Sequence, residues 1–336
     1  MKLGSPGFIG KLVVATGALT LLLIGAMVAG ICLGSTKSSI SDIFSALTNP
    51  SQKDALLHTI VWQLRVPRVL LAAAVGAALS LGGLVFQAIL RNPLAEPYIL
   101  GISGGSAIGA IAGILMGFSR FPGVTLTAFS GSIASLFLIL MMTSGRSMMK
   151  ASSLLLSGVM VNSFCSAVIM FLVSLTQDAR LHNIIFWLMG DLSQGNLHQA
   201  GIMTAVLAPG VFIVFRYANA MNLLLMGEDI AKTMGINIRL VTLTLLMLTS
   251  LMVSATVSYC GLIGFVGLVI PHILRLILGP DHRILAPACV LGGAGFMVSC
   301  DILARALPEQ GEMPVGVITA LIGAPLFIML LKRSNR

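Results

Sequence analysis

A chain of 336 residues that is 57% hydrophobic and only 9% charged, with a mean hydropathy of +1.01, cannot hydrate an outer surface; soluble domains carry about 25% charged residues. The net charge of +9 does not point to nucleic acid, because the basic residues stand singly between apolar stretches with few aromatics beside them. Five scattered cysteines, Cys32, Cys165, Cys260, Cys289 and Cys300, form neither a disulfide framework nor a CxxC metal pair, and read as small buried hydrophobes.

A helix crosses a bilayer core with about 20 apolar residues and leaves no backbone group unsatisfied there. The first such stretch, Leu12–Leu33, is longer than the apolar core of a signal peptide, roughly 7–15 residues. Ile31 before Cys32 also argues against a lipoprotein cleavage site, so an uncleaved first helix is expected. Further spans are predicted at Val69–Leu90, Tyr98–Phe118, Gly123–Thr143, Ser152–Thr176, Ala200–Phe215, Leu240–Cys260, Leu262–Leu278, Ile284–Leu303 and Met313–Leu331. Leu181–Gly190 is too short to cross and is expected to lie in the interface or re-enter the membrane. The expectation is an all-α polytopic membrane protein of about ten transmembrane helices, with residues 1–336 forming one domain undivided by a polar linker.

Charge sets the orientation. With the N-terminus inside, thirteen of the 20 Lys and Arg fall on the inner side and seven, including Lys37, Lys53, Arg65, Arg68, Arg120, Arg180 and Arg305, on the outer. Four acidic residues lie inside and seven outside, so the inner face carries the whole positive balance. Both termini are therefore expected in the cytoplasm.

The longest polar inner segment, about residues 217–239, carries Leu223, Leu224 and Leu225 into a charged turn, Gly227-Glu228-Asp229, followed by Ile230, Met234 and Ile236 at helical spacing. This predicts two short amphipathic helices around a glycine hinge. Such a pair serves either as an interfacial element on lipid or as a docking surface for a cytoplasmic partner. Small-residue runs such as Gly101-Ile-Ser-Gly-Gly-Ser106 and Gly292-Gly-Ala-Gly295 predict close helix packing. No GxxxxGK[ST] phosphate loop, zinc-ligand spacing or nucleophile elbow occurs, so the chain is not expected to be an enzyme or to bind a metal. The five histidines fall near span ends and are expected to be solvated or interfacial. Asp301, with Arg305 one turn later, is an ionisable pair inside an apolar run; a functional role and a plain helix-end device both fit.

The motifs then resemble a known family. RVPRVLLAAAVGAALSLGGLVFQAILRNPLAEPYILGISGGSAIGA (Arg65–Ala110), LLLSGVMVN (Leu154–Asn162), FWLMGDL (Phe186–Leu192), LLLMGEDIAKTMGI (Leu223–Ile236), GFVGLVIPHILRLILGPDHRILAP (Gly264–Pro287) and PVGVITALIGAPLFIMLLKR (Pro314–Arg333) are similar, in order and spacing, to FecCD-type permeases. These are the iron-siderophore, haem and cobalamin permeases of type II ABC importers. One departure stands out: the family's usual Gly-Pro-Ile-Gly-Phe is Gly261-Leu262-Ile263-Gly264-Phe265 here, and loss of the proline is expected to permit straighter helix geometry.

The resemblance implies a ten-helix permease that pairs with a second copy of itself in a bacterial or archaeal cytoplasmic membrane. Two cytoplasmic ABC ATPase subunits would supply ATP and Mg hydrolysis chemistry, with no cofactor on this chain. An extracytoplasmic substrate-binding protein would deliver the substrate. It implies docking of that protein at Arg65, Arg68 and Arg305, where guanidinium groups suit carboxylates. It implies ATPase coupling through Leu223, Met226, Gly227, Glu228, Asp229, Met234 and Gly235, and a gate and pathway at Asn92, Leu94, Ser152, Asn162 and Ser163. The alternative from a different class is an ion-gradient-driven secondary transporter. That class places ionisable groups near the bilayer midplane, whereas Leu240–Leu274 holds no charged residue.

Overall fold

The computed structural model describes residues 6–33, 58–143, 151–176, 178–308 and 311–334. Of the residues that set the orientation, Lys37 and Lys53 on the outer side and Lys2, Arg146, Lys150 and Arg336, which are among the thirteen on the inner side, lie outside the described residues. The helices are α1 (Pro6–Cys32), α2 (Val66–Ile89), α3 (Ile102–Leu115), α4 (Thr125–Thr143), α5 (Ala151–Ser174), α6 (Asp178–Met189), α7 (Leu197–Arg216), α8 (Ala218–Leu225), α9 (Glu228–Thr233), α10 (Ile238–Cys260), α11 (Val266–Leu278), α12 (His282–Ala306) and α13 (Val315–Ser334). Among the described residues seven are long and apolar enough to cross a membrane, and the three shorter apolar helices α3, α11 and α13 make ten. No strand occurs among the described residues.

Sequence explains which helix sits where. α2 is small and apolar on every side (Ala72-Ala73-Ala74, Ala77-Ala78, Gly82-Gly83) and is buried along almost its whole length, as a helix without a polar face must be. α1 carries larger residues, and only 6% of its apolar window is buried, which leaves it facing lipid on most of its circumference. Helices α1, α2, α11 and α12 pack together as one sub-bundle, and α3, α4 and α5 as another, with α10 touching both.

Glycines set the closest approaches. A methyl on Gly76 would overlap the Gly293 carbonyl, and one on Gly293 would overlap the Gly76 carbonyl, so α2 and α12 cross at bare backbone. Gly105 and Gly131 do the same for α3 and α4. Without a hydrophobic driving force between helices in lipid, such contact supplies the van der Waals attraction that holds them.

Between α10 and α11 the chain leaves helical geometry. Gly261 has φ +72° and Phe265, which starts α11, has φ +69°. The straightening expected from Leu262 does not occur, and α11 begins at Val266 rather than at Leu262. The break survives without proline because the bundle supplies its missing partners. The Tyr98 hydroxyl accepts from the Ile263 N–H at 3.0 Å and donates to the Ile263 carbonyl at 2.9 Å. A side chain on Gly261 would overlap the Trp187 carbonyl. Irregular backbone inside a membrane bundle is tolerated where protein groups satisfy it.

Candidate functional sites at the two ends of the bundle

Consider first the end that carries α8 and α9. These are the two short helices predicted, and the hinge between them is Gly227 at φ +118°, ψ 152°, a region open essentially to glycine alone. Ala218, Ala220, Met221 and Leu224 turn inward. Met226 (64% exposed), Met234 (65%) and Ile230 (46%) turn outward together with Leu225. Asp229 is exposed, Leu223 is half-buried, and Gly235 turns the chain out of α9 at φ +80°. The result is a methionine-rich apolar surface on a charged turn that none of the other described residues covers.

Glu228 pairs with Arg91, joining α9 to the connection after α2. Arg91 carries no such signal in the sequence, since nothing in linear spacing links positions so far apart. In that connection Asn92 accepts from the Leu94 N–H at 2.9 Å, closing a local turn that leaves Leu94 45% exposed. Ser152 and Ser163 are exposed on α5 and Asn162 is half-buried, beside Gly104 of α3. Asn92 and Leu94, expected at a gate, thus share an end with the residues expected to couple to an ATPase, while Asn162 and Ser163 lie farther along α5.

Two of the five histidines depart from expectation, while His182 and His198 are exposed and His58 is half-buried. His272 and His282 are buried, the latter completely. His272 lies edge-on to Phe327 of α13, and His282 meets Asn222 of α8, with Nδ1 2.8 Å from Oδ1. Their positions near span ends are as read, but α8 and α13 pack over those ends and exclude solvent. Beside His282, Asp281 caps α12 by accepting from the Arg283 N–H at 3.0 Å and pairs with the Arg283 guanidinium at 2.6 Å. Partial burial pushes the Asp281 carboxyl up, but hydrogen bonds from Arg283 and Asn222 outweigh it and bring the pKa to about 2.

At the opposite end Arg65, Arg68 and Arg305, expected from the resemblance to dock a binding protein, lie together, yet each is no more than 7% exposed. Arg68 binds Asp301 at 2.8 Å and Glu312 at 2.5 Å. Asp301 is fully buried, and its second oxygen lies 3.1 Å from Arg305 Nε. Arg305 donates to the Gly30 and Leu33 carbonyls at 3.0 and 3.1 Å, and Arg65 to the Ile31 and Cys32 carbonyls at 2.8 and 3.2 Å. Two arginines therefore satisfy the orphan carbonyls that end α1, while Asp301 and Glu312 offset two of the three positive charges. Glu312, with 36% of its side chain exposed, is the member that reaches solvent.

A second ion pair sits at this end. Arg120 meets Asp191 at 2.8 Å, tying the connection before α4 to the turn after α6. Burial raises the Asp191 carboxyl, but Arg120 and two hydrogen bonds from Ser193 hold it below the usual carboxylate range. Arg120, Phe121, Asp191, Gln194, Gln199 and Tyr259 line part of a cavity of about 390 Å³ there.

Ten apolar helices among the described residues, with α2 buried among them, an exposed apolar surface at one end and an arginine cluster at the other, define a polytopic helical membrane protein. The match to the FecCD transport family runs over residues 21–333, and the chain belongs to that family. It is 41% identical over 275 residues to the cobalamin import system permease of Halobacterium salinarum, covering 82% of this chain and 74% of that one. It is 38% identical over 312 residues to the hemin transport system permease of Yersinia pestis, covering 91% and 92%. Among solved structures, one described as an inward-facing metal-chelate type ABC transporter superposes with a TM-score of 0.84 at 32% identity, covering 95% of this chain and 98% of that one.

Proposed function

We propose that this chain is the membrane permease of an ATP-driven importer for a metal chelate of the iron-siderophore, haem or cobalamin kind. Two copies would line one pathway, with ATP hydrolysed on separate cytoplasmic subunits and substrate handed over by an extracytoplasmic binding protein. The α8–α9 end then faces the cytoplasm, in keeping with the excess of Lys and Arg on that side.

The observation that carries this reading is the uncovered surface of Met226, Ile230 and Met234 around Gly227. A large apolar patch rimmed by charge marks a protein or membrane contact, and methionine suits a surface that repacks against a moving partner. The three arginines support docking at the other end indirectly. Their buried bonds hold the ends of α1, α2 and α12 in one frame, and a partner's carboxylate would reach Arg68 by displacing Glu312.

The test is a double substitution, Met226→Asp with Met234→Asp, in the permease co-expressed with its ATPase. Co-purification of the ATPase and substrate-stimulated hydrolysis should both be lost while the permease still inserts. Retention of both would overturn the coupling assignment.

A further inference from the structure

We infer that Asn222 is the positioning residue that delivers the ATPase stroke to α12, so that α12 moves with α8 as one unit. This rests on the reading of α8 and α9 as the coupling surface and adds the route by which motion leaves it.

The route is set by how the first turn of α12 is capped. The leading N–H groups of any helix have no partner within it. In α12 the Arg283 N–H is taken by Asp281, its own N-cap, but the His282 N–H is taken from another element: Asn222 Oδ1, on α8, accepts it at 2.9 Å. The same oxygen faces His282 Nδ1 at 2.8 Å, and Asn222 Nδ2 donates to Asp281 Oδ1 at 2.8 Å. The need of the His282 N–H for an acceptor fixes which way round the amide sits. One short side chain thus spends donor and acceptor on a helix end, and displacing α8 from α12 would strand the His282 N–H at a fully buried residue.

The ion pair that joins this surface to the connection after α2 is softer. Arg91 and Glu228 are each more than a third exposed, and exposed ion pairs exchange readily with water and contribute little. The far side of the Asn222 contact, by contrast, is stiff. Arg283 lies 4.3 Å over the Phe8 ring of α1, α12 meets α2 at Gly76–Gly293, and its last turn holds Arg68 and the end of α1 through Asp301 and Arg305. A displacement entering at Asn222 therefore reaches the opposite end of α1, α2 and α12 together.

The experiment uses the permease–ATPase complex with its binding protein in proteoliposomes, and cyanocobalamin or haemin as probe, whichever the wild type carries. The quantity read is substrate moved per ATP hydrolysed. Asn222→Ala should keep the ATPase bound and lower that ratio by about tenfold, a usual size for coupling between sites. Asn222→Asp, which sets carboxylate against carboxylate, should do the same, and Asn222→Asp with Asp281→Asn, which exchanges the partners, should recover about half or more of the ratio. If Asn222→Ala does not assemble, Asn222→Ser is judged by the same ratio. An unchanged ratio in the single variants overturns the proposal, as does an assembled exchange variant that stays uncoupled. If Met226→Asp with Met234→Asp also couples normally, the coupling-surface reading falls with it; if that variant is dead and Asn222→Ala is normal, only the role of Asn222 falls.

Discussion

Asp301 is a carboxylate with no exposure at all, held between two guanidinium groups from different helices. Breaking a buried pair by removing one partner leaves uncompensated charge and costs about 3–5 kcal/mol. Asp301→Asn should therefore lower the stability of the detergent-solubilised protein by about that amount, measured by unfolding in mixed SDS micelles; an effect below about 1 kcal/mol would mean the cluster is solvated. Asp281 gives a pH prediction. Its folded pKa of about 2 lies below the ordinary 3.8, so its contribution is complete above about pH 4 and is lost as the pH falls through about 2. The stability gap between wild type and Asp281→Asn should be constant from about pH 8 to about pH 5 and should shrink between about pH 4 and about pH 2. The i,i+4 pairing of Asp301 with Arg305 was legible in sequence. That Arg65 and Arg305 turn inward to cap α1 was not, because their acceptors are backbone carbonyls of a distant segment and carry no side-chain signature.

At the scale of elements, glycine has opposite meanings in different helices. Gly76 of α2 faces the Gly293 carbonyl, while Gly201 of α7 has nothing within reach of an added methyl. Gly76→Ala should destabilise the bundle by about 1–3 kcal/mol through overpacking. Gly201→Ala should be neutral or stabilise by up to about 1 kcal/mol, since alanine is the better helix former. The same unfolding assay checks both, and a shared sign would refute the packing argument. The small-residue runs foretold tight packing without saying which glycines meet, since partner choice is a property of the assembled bundle. The hinged pair α8–α9 was legible nearly to the residue, because amphipathic spacing and a glycine are local signals. The break at residues 261–265 was misjudged because its support comes from Tyr98 and Trp187, far away in the chain.

Across the whole molecule, ten spans could be counted from hydropathy because lipid imposes one length on every crossing. The short helix α3 is reached through a 3-10 turn at Pro97–Leu100 and α11 through the non-helical stretch at residues 261–265, neither of which a hydropathy window separates from a full span. The division into an α1–α2–α11–α12 group and an α3–α4–α5 group puts the charged clusters at the ends, and among the described residues no group of three or more His, Cys, Asp or Glu gathers between them, whereas gradient coupling places ionisable groups near the midplane. The permease reconstituted without its ATPase should therefore show no uptake of cyanocobalamin or haemin under an imposed proton or sodium gradient; accumulation above protein-free vesicles would refute the ATP-driven reading. The clasp of Tyr98 on Ile263 has an evolutionary corollary. The break is encoded twice, by glycine on one side and a distant hydroxyl on the other, so position 262 is released from conformational duty and is free to drift in size. It faces Gly316, Ala320 and Ala324 along a shallow apolar hollow, so such drift would alter how α13 seats while sparing the fold.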